Sequence, residues 1–450
     1  MSYALMSYAA AIDQLNTMTP ELYAKVGQPR RKFSLDEVRI LLSALGNPER
    51  RFPAVLIAGT NGKGSTAATL ASILTEAGLR TGLYTSPHLE RPNERIRVDR
   101  TEIADADFAR LFFLVSDKAD QMVKERKLPQ MPSFFEMLTA LAFLYFAESS
   151  IEIAVLEVGM GGRLDATNVV EPLLSIMTDI SLDHMEWLGP TIAAIAREKA
   201  GILRESGTMI TLPQHPEANE VLGQVAAELD VRGVSAVPYM PASEVKGPYM
   251  VEALGATVKV DSPLKGAHQQ RNVALAIAAA VELAAGHGFA VSPAAIEEGI
   301  RRTQWPGRLE RMAIAGVEWV LDVAHNPAGA WALRAGLRSI LEERGPRILI
   351  FSCLSDKPVA EMAQILFPLF ERVIVTPIHA ARAAAVEDLL AAAKGTGTKA
   401  TAADSVREAL QLAQENAAGG VVVVSGSVYL VGEARAMLLV ECAAEKSETR

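Results

Sequence analysis

Lys63 and Ser65 stand inside a glycine-rich run, 58-AGTNGKGSTAAT-69, with glycines at 59, 62 and 64. An ammonium flanked by residues that let the backbone come close is suited to phosphate. Main-chain N–H groups can surround the oxygens, Lys63 can neutralise their charge, and the Ser65 hydroxyl can face Mg2+. The common spacing G-x-x-x-x-G-K-[ST] is not met, because Gly59 stands three residues before Gly62 and Gly64 separates Lys63 from Ser65. Alone, the run could equally be a helix-capping turn. Three further clusters carry reactive types. Glu157 ends an apolar run and opens 157-EVGMGGRLDATN-168, whose constrained loop bears Arg163 and Asp165. His184 follows another apolar run; a lone histidine can be structural, or its neutral ring can join a mixed oxygen and nitrogen shell around Mg2+. Lys199 has Ile195, Ala196, Ala200 and Ile202 as neighbours. Such a lysine either snorkels to water or, desolvated, loses its proton and becomes nucleophilic toward CO2. Arg308, Asp322 and His325 gather around Pro306-Gly307 and 320-VLDVAHNPAGA-330, which by itself reads as turn chemistry before a helix starting near Asn326-Pro327.

These residues need elements to aim them. AVLIAG reads as a buried strand and STAATLASILTEAG as a helix, so the glycine run is a strand-to-helix turn that points N–H groups and the positive helix end at one spot. Strand-length apolar runs near 54–58, 80–85, 151–157, 173–178 and 207–212 alternate with helices expected near 64–77, 105–125, 134–148, 191–204, 216–229, 268–286 and 293–302. That alternation predicts a mostly parallel sheet covered by helices, with Glu157 at a strand end where such sheets bind ligands. Residues 248–261 read as a β excursion. The stretch 303-TQWPGRLE-310 is the expected linker, and strands near 317–322, 347–352, 372–376 and 420–425 restart the pattern beyond it. The fold class is therefore α/β: a P-loop-type, mostly parallel sheet domain over 1–304, then a smaller Rossmann-like α/β domain over 305–450.

Composition narrows the partners. Of the 450 residues 22% are charged and the net charge is −9, which argues against a general nucleic-acid binder but leaves room for small anions at a local basic cluster. Two cysteines, Cys353 and Cys442, argue against a disulfide framework and suit a reducing cytoplasm. No apolar run approaches the ~18–20 residues of a membrane span, no signal-peptide pattern opens the sequence, and no zinc-ligand spacing occurs.

Ten stretches, in order, carry a resemblance: 59-GTNGKGS-65, 85-TSPHLERPNERI-96, 132-PSFFEMLTALAF-143, 157-EVGMGGRLDATN-168, 183-DHMEWLG-189, 198-EKAGI-202, 264-LKGAHQQRNVALA-276, 306-PGRLE-310, 322-DVAHNP-327 and 425-SGSVYLVGE-433. Together they resemble the folylpolyglutamate synthase/dihydrofolate synthase family of the Mur ligase superfamily. The resemblance implies a cytoplasmic ATP-dependent ligase, monomeric, that phosphorylates a carboxylate and lets the amine of L-glutamate attack the acyl phosphate. The acceptor is dihydropteroate or a reduced folate. Carried over by motif, Gly59, Thr60, Asn61, Gly62, Lys63, Gly64, Ser65, Asn272, Arg308 and Asp322 would bind ATP. Ser86, Glu157 and His184 would hold Mg2+, with two ions expected and K+ as a further ion. Lys199 would be carboxylated to N6-carboxylysine. Ser133, Phe134, Phe135, Glu136, Leu164, Asp165 and Ala166 would line the pterin-bearing substrate. Lys63, Lys199 and His325 are the implied catalytic residues, His325 near the domain cleft. Val323 stands where the family often has glycine, and Ser425 where it has threonine; neither touches the implied chemistry. The rival readings are a cell-wall ligase adding an amino acid to a nucleotide-linked peptide and an ATP-binding module without ligation.

Overall fold

The structure is a computed structural model that describes residues 7–18, 34–243, 245, 247–341, 345–380 and 382–448. Its first sheet is built from β1 (Ala54–Ala58), β2 (Thr81–Tyr84), β3 (Ile96–Val98), β4 (Thr101–Glu102), β5 (Ile153–Glu157), β6 (Pro172–Met177), β7 (Thr208–Thr211) and β8 (Arg232–Ser235). Their spatial order is β4-β3-β2-β5-β1-β6-β7-β8. The six strands from β2 to β8 run parallel, and the β3–β4 hairpin adds an antiparallel edge. β1 and β5 are buried at every position, as expected for strands sandwiched between two helical layers, which cannot alternate polar and apolar residues. One core packs the sheet against helices that include Asp105–Lys124 and Phe134–Glu148. The other face packs on helices Lys63–Glu76, Ala267–His287 and Pro293–Arg301.

β9 (Tyr249–Ala253) and β10 (Ala256–Val260) form a separate antiparallel hairpin, which is the expected excursion. The second sheet contains β11 (Glu310–Ile314), β12 (Val317–Asp322), β13 (Arg347–Phe351), β14 (Arg372–Val375), β15 (Ala400–Ala402) and β16 (Val421–Ser425), in the order β11-β12-β16-β13-β14-β15. Only β11 is antiparallel. Helices on both faces close two further cores.

The long strands and helices fall where the periodicity places them. The expectation of a helix over 191–204 is corrected to Ile192–Ala200. Gly201 caps its end and lies against Arg163, so close that a side chain at 201 would meet that residue's Cβ at 2.3 Å. The short strands β3, β4, β8, β11 and β15 are additions to the expected set.

The two sheets meet on either side of the linker. The loop after β2 reaches across: Leu89 packs on the second unit's core. Its carbonyl oxygen lies only 2.0 Å from where a Cβ on Gly432 would stand, so helix Val428–Glu448 can come this close only with glycine there. Arg435 on the same helix pairs with Glu90 at 3.0 Å.

Candidate active site

β1 and β5 are in register with Ile57 opposite Glu157, and β1 pairs with β6 as far as Ala58 and Met177. The chain leaving β1 therefore turns between the ends of its two neighbours. Gly62, at φ +89°, caps helix Lys63–Glu76 with no side-chain hydrogen bond to its first turn. The first N–H groups of that helix are thus left for a ligand, with the positive end of the helix behind them. Any Cβ at Gly62 would stand 2.1 Å from Asn272 Oδ1. The loop is fixed from below: the Asp179 carbonyl accepts from Thr60 N–H (2.8 Å) and Asn61 N–H (3.1 Å). The Asp179 carboxylate is itself clamped by Arg271, whose Nε and Nη2 donate to it at 2.6–3.0 Å.

A cavity of about 400 Å3 opens over this loop. Residues 59–65 line it together with Ser86, Glu157, Asp183, His184, Lys199, Asn272, Arg308, Asp322 and His325. Every residue expected to bind ATP or metal therefore lines one cavity, as do the three implied catalytic residues. The seven expected substrate residues are not. Ser133 and Glu136 form a capping box for helix Phe134–Glu148: Ser133 N–H donates to Glu136 Oε2 at 2.7 Å and Glu136 N–H to Ser133 Oγ at 3.4 Å. Phe135 packs beneath Gly159, and Phe134 lies 5.2 Å under the Arg95 guanidinium. Asp165 is buried and accepts from Met160 N–H, Thr167 N–H and the Thr167 hydroxyl, which holds the loop that Leu164 and Ala166 belong to.

Electrostatics separates the residues of the cavity. Burial pushes the Glu157 carboxyl above its ordinary range, opposed by Lys63 and by the Ser86 N–H that donates to its Oε2 at 3.1 Å. Burial lowers Lys199 to about 7, and the nearby Lys63 adds to the effect. Lys199 is 4% exposed and its Nζ donates to the Gly59 carbonyl at 2.7 Å. A lysine so placed has a substantial neutral fraction near pH 7 and can add to CO2. Burial also lowers His184 to about 4, leaving a neutral ring of the kind a metal ion requires. His325 is held neutral for the same reason; its Nδ1–H donates to the Val323 carbonyl at 2.9 Å, so Nε2 keeps its lone pair. Burial raises Asp322, against the pull of Arg308 and His268, and its two oxygens accept from Leu309 and Ala324 N–H at 2.9 Å. Among the described residues no three His, Cys, Asp or Glu side chains gather as a metal cluster.

Sequence reasoning missed the group that ties the cavity across the linker. Asp183 is 7% exposed and Lys357 is 5% exposed at the side chain, and they pair at 2.6 Å. Asn326 Nδ2 donates to Asp183 Oδ2 and to Asn61 Oδ1, both at 3.0 Å. Burial opposes ionisation of Asp183, but in the acid range where it titrates the protonated His184 ring, the Lys357 ammonium and the protonated His325 ring outweigh it and hold the carboxyl below its usual range. The backbone N–H of His184, at φ +50°, donates to the Asp183 side chain at 2.9 Å, so the pair also fixes the histidine's left-handed turn.

Comparison with known proteins accounts for this arrangement. Residues 57–280 match the Mur ligase middle domain and residues 307–428 the Mur ligase glutamate ligase domain. Folylpolyglutamate synthase of Lacticaseibacillus casei is 34% identical over 447 residues, covering 96% of this chain and 99% of that protein. The chain belongs to the folylpolyglutamate synthase/dihydrofolate synthase family. Dihydrofolate synthase/folylpolyglutamate synthase of Mycobacterium tuberculosis is 36% identical over 442 residues, covering 90% of each chain. The solved structure of Mycobacterium tuberculosis folylpolyglutamate synthase complexed with ADP superposes with a TM-score of 0.85 at 33% identity, over 96% of this chain and 98% of that one. The α/β architecture with its glycine-rich first turn is thus the family's fold. Among the described residues no helix is long and apolar enough to cross a membrane.

Proposed function

We propose that this chain joins L-glutamate to dihydropteroate and to the γ-carboxyl of reduced folates, using ATP. The single observation that carries the reading is the convergence on one cavity of the phosphate loop, Glu157, His184 and the near-neutral Lys199. A ligase of this kind must bring a nucleotide triphosphate and a carboxylate together against their mutual repulsion, and the cavity is built for that. The free N–H groups at the start of helix Lys63–Glu76 and the Lys63 ammonium receive the phosphates. Asn272, Arg308 and Asp322 hold the nucleotide from both sides of the linker. The γ-phosphoryl group passes to the acceptor carboxylate, and the glutamate amine then displaces phosphate from the acyl phosphate. His325, neutral and lining the cavity with its Nε2 3.7 Å from Asp183, is placed to hold glutamate or the departing phosphate. Closing the cleft excludes water that would otherwise hydrolyse the acyl phosphate.

The residues present fit Mg2+. Glu157 is a buried carboxylate that an adjacent cation would stabilise, His184 is a neutral donor, and the Ser86 hydroxyl supplies oxygen. The ion would neutralise charge on the phosphates. Lys199, as its carbamate, would add an anion on that wall.

Dihydropteroate and tetrahydrofolate, offered separately with ATP, Mg2+ and glutamate, test the reading. Glutamate-dependent phosphate release with either acceptor is expected. Ligation of a nucleotide-linked muramyl peptide instead, or ATP turnover indifferent to acceptor and glutamate, would overturn it.

A further inference from the structure

A second cavity, about 330 Å3, lies beside the first and shares Pro87, Arg308 and Val428 with it. It is basic. Five guanidiniums line it: Arg91 from the loop after β2, Arg97 and Arg100 from the β3–β4 hairpin, Arg308 from the linker, and Arg435 from helix Val428–Glu448. Three carboxylates share the lining, but one is already spent on the backbone. Glu94 accepts from Leu89, Glu90 and Arg91 N–H at 2.7–2.8 Å and so shapes the loop. Glu102 pairs with Arg97 at 3.1 Å and Glu90 with Arg435 at 3.0 Å. Arg91 and Arg100 each reach a carboxylate outside the lining, Asp105 at 2.5 Å and Glu76 at 2.7 Å. Arg435 also pairs with Glu310 at 3.0 Å. Arg100 Nη2 also donates to the Ser72 carbonyl and hydroxyl at 3.1 and 2.9 Å, and Arg97 donates from Nε to the Glu94 carbonyl and from Nη2 to Glu102. Among the described residues this leaves Nη1 of Arg97, and Nε and Nη1 of Arg100, with donors to spare. Arg308 has no carboxylate within ion-pair distance among the described residues, although burial weakens its hold on its proton. The floor is aromatic: the Arg97 guanidinium lies 5.7 Å over the Trp305 ring. That ring in turn packs on Gly64, so tightly that a Cβ there would meet it at 2.8 Å.

The cavity thus combines forked, planar cations that keep donors to spare with direct continuity to the place where a carboxylate is to be phosphorylated. Guanidinium forks match carboxylates in pairs. An acceptor that already carries several γ-linked glutamates has one free α-carboxylate per residue, and only its last γ-carboxyl can occupy the reacting position. The preceding residues need a path lined by cations. We propose that this second cavity is the subsite for that tail, with Arg97 and Arg100 as the residues that bind its α-carboxylates. The inference rests on the ligase reading above and deepens it: the site is built to favour acceptors whose glutamate chain has already begun.

The same chemistry could come from the incoming glutamate, so the experiment separates the two. KM is measured for acceptors with one, three and five glutamates and for L-glutamate, in the unaltered protein and in Arg97→Gln and Arg97→Lys. In the unaltered protein KM is expected to fall about tenfold from one to three glutamates, the scale of one or two charge-assisted hydrogen bonds. Raising the ionic strength should shrink that ratio. Arg97→Gln should flatten the dependence while leaving KM for the monoglutamate and for L-glutamate within about twofold; Arg97→Lys should keep part of it. Calorimetric titration with a free γ-linked triglutamate lacking the pteridine gives a readout that does not need ligation: binding by the unaltered protein, lost in Arg97→Gln, is expected. A tail-independent KM in a protein that does ligate overturns the proposal and leaves the ligase reading standing. A rise confined to KM for L-glutamate assigns the cavity to the incoming amino acid and also overturns it. An equal change in every KM, or no triglutamate binding, reduces Arg97 to a structural ion pair and overturns it as well.

Discussion

Lys199 shows how much one buried group can be asked to do. A lysine in an unfolded chain keeps its proton to about 10.5, whereas here burial brings it to about 7. Between those values the unfolded state binds the extra proton. Stability therefore rises with pH across that window and is lowest, as far as this residue is concerned, below pH 7. Lys199→Met should flatten the urea midpoint measured from pH 7 to 10 in bicarbonate-free buffer. An unaltered slope would show that the ammonium is not desolvated. The same neutrality is what carbamylation demands, and a 13C carbamate signal that vanishes in the variant would locate the modification. Residue identity made Lys199 visible in the sequence, but by residue pattern alone a snorkelling lysine was the favoured reading. Only the 2.7 Å contact of its Nζ with the Gly59 carbonyl and its burial distinguish the two.

The glycine-rich loop after β1 is the element on which the others converge. Gly62 combines a positive φ with a Cβ position occupied by Asn272 Oδ1, so Gly62→Ala meets both backbone strain, about 1–2 kcal/mol, and a displaced amide. ATP affinity should fall at least tenfold with only a small loss in melting temperature. Calorimetry alongside thermal unfolding would read this, and a variant that binds ATP normally would show that the loop rearranges freely. At this scale the sequence was generous where elements are long. The runs AVLIA and VVVVS are fully buried strands, as continuous apolar runs in parallel sheets should be. It was silent about β4 and β15, two and three residues long, because such pieces hold too few residues to show a period. The capping box gives Ser133 and Glu136 a structural role, which a motif match could not reveal.

For the whole molecule, the decisive contact is the least legible one. Asp183 and Lys357 are 174 positions apart, and no spacing rule joins them; either could have been a solvated charge. Folded, they form a buried pair between the two sheets, flanked by the amides of Asn61 and Asn326. Removing one partner leaves the other charge buried and unpaired, at a cost of roughly 3–5 kcal/mol. Lys357→Met should therefore loosen the docking of the two units. Small-angle scattering should show a larger radius of gyration, and the KM for ATP should rise although Lys357 lines neither cavity. Compact scattering and normal ATP use would sink this assignment.

Asn61 belongs to the glycine-rich loop proposed to take the nucleotide, yet its side chain is held by Asn326, the residue that opens the first helix after β12. A protein cut between residues 303 and 306 would not yield one half that grips nucleotide and another that awaits it. The first fragment would carry its glycines and Lys63 intact while missing the amide that steadies their neighbour. Competence would return only on mixing the fragments, and its recovery would track their reassociation rather than the folding of either piece.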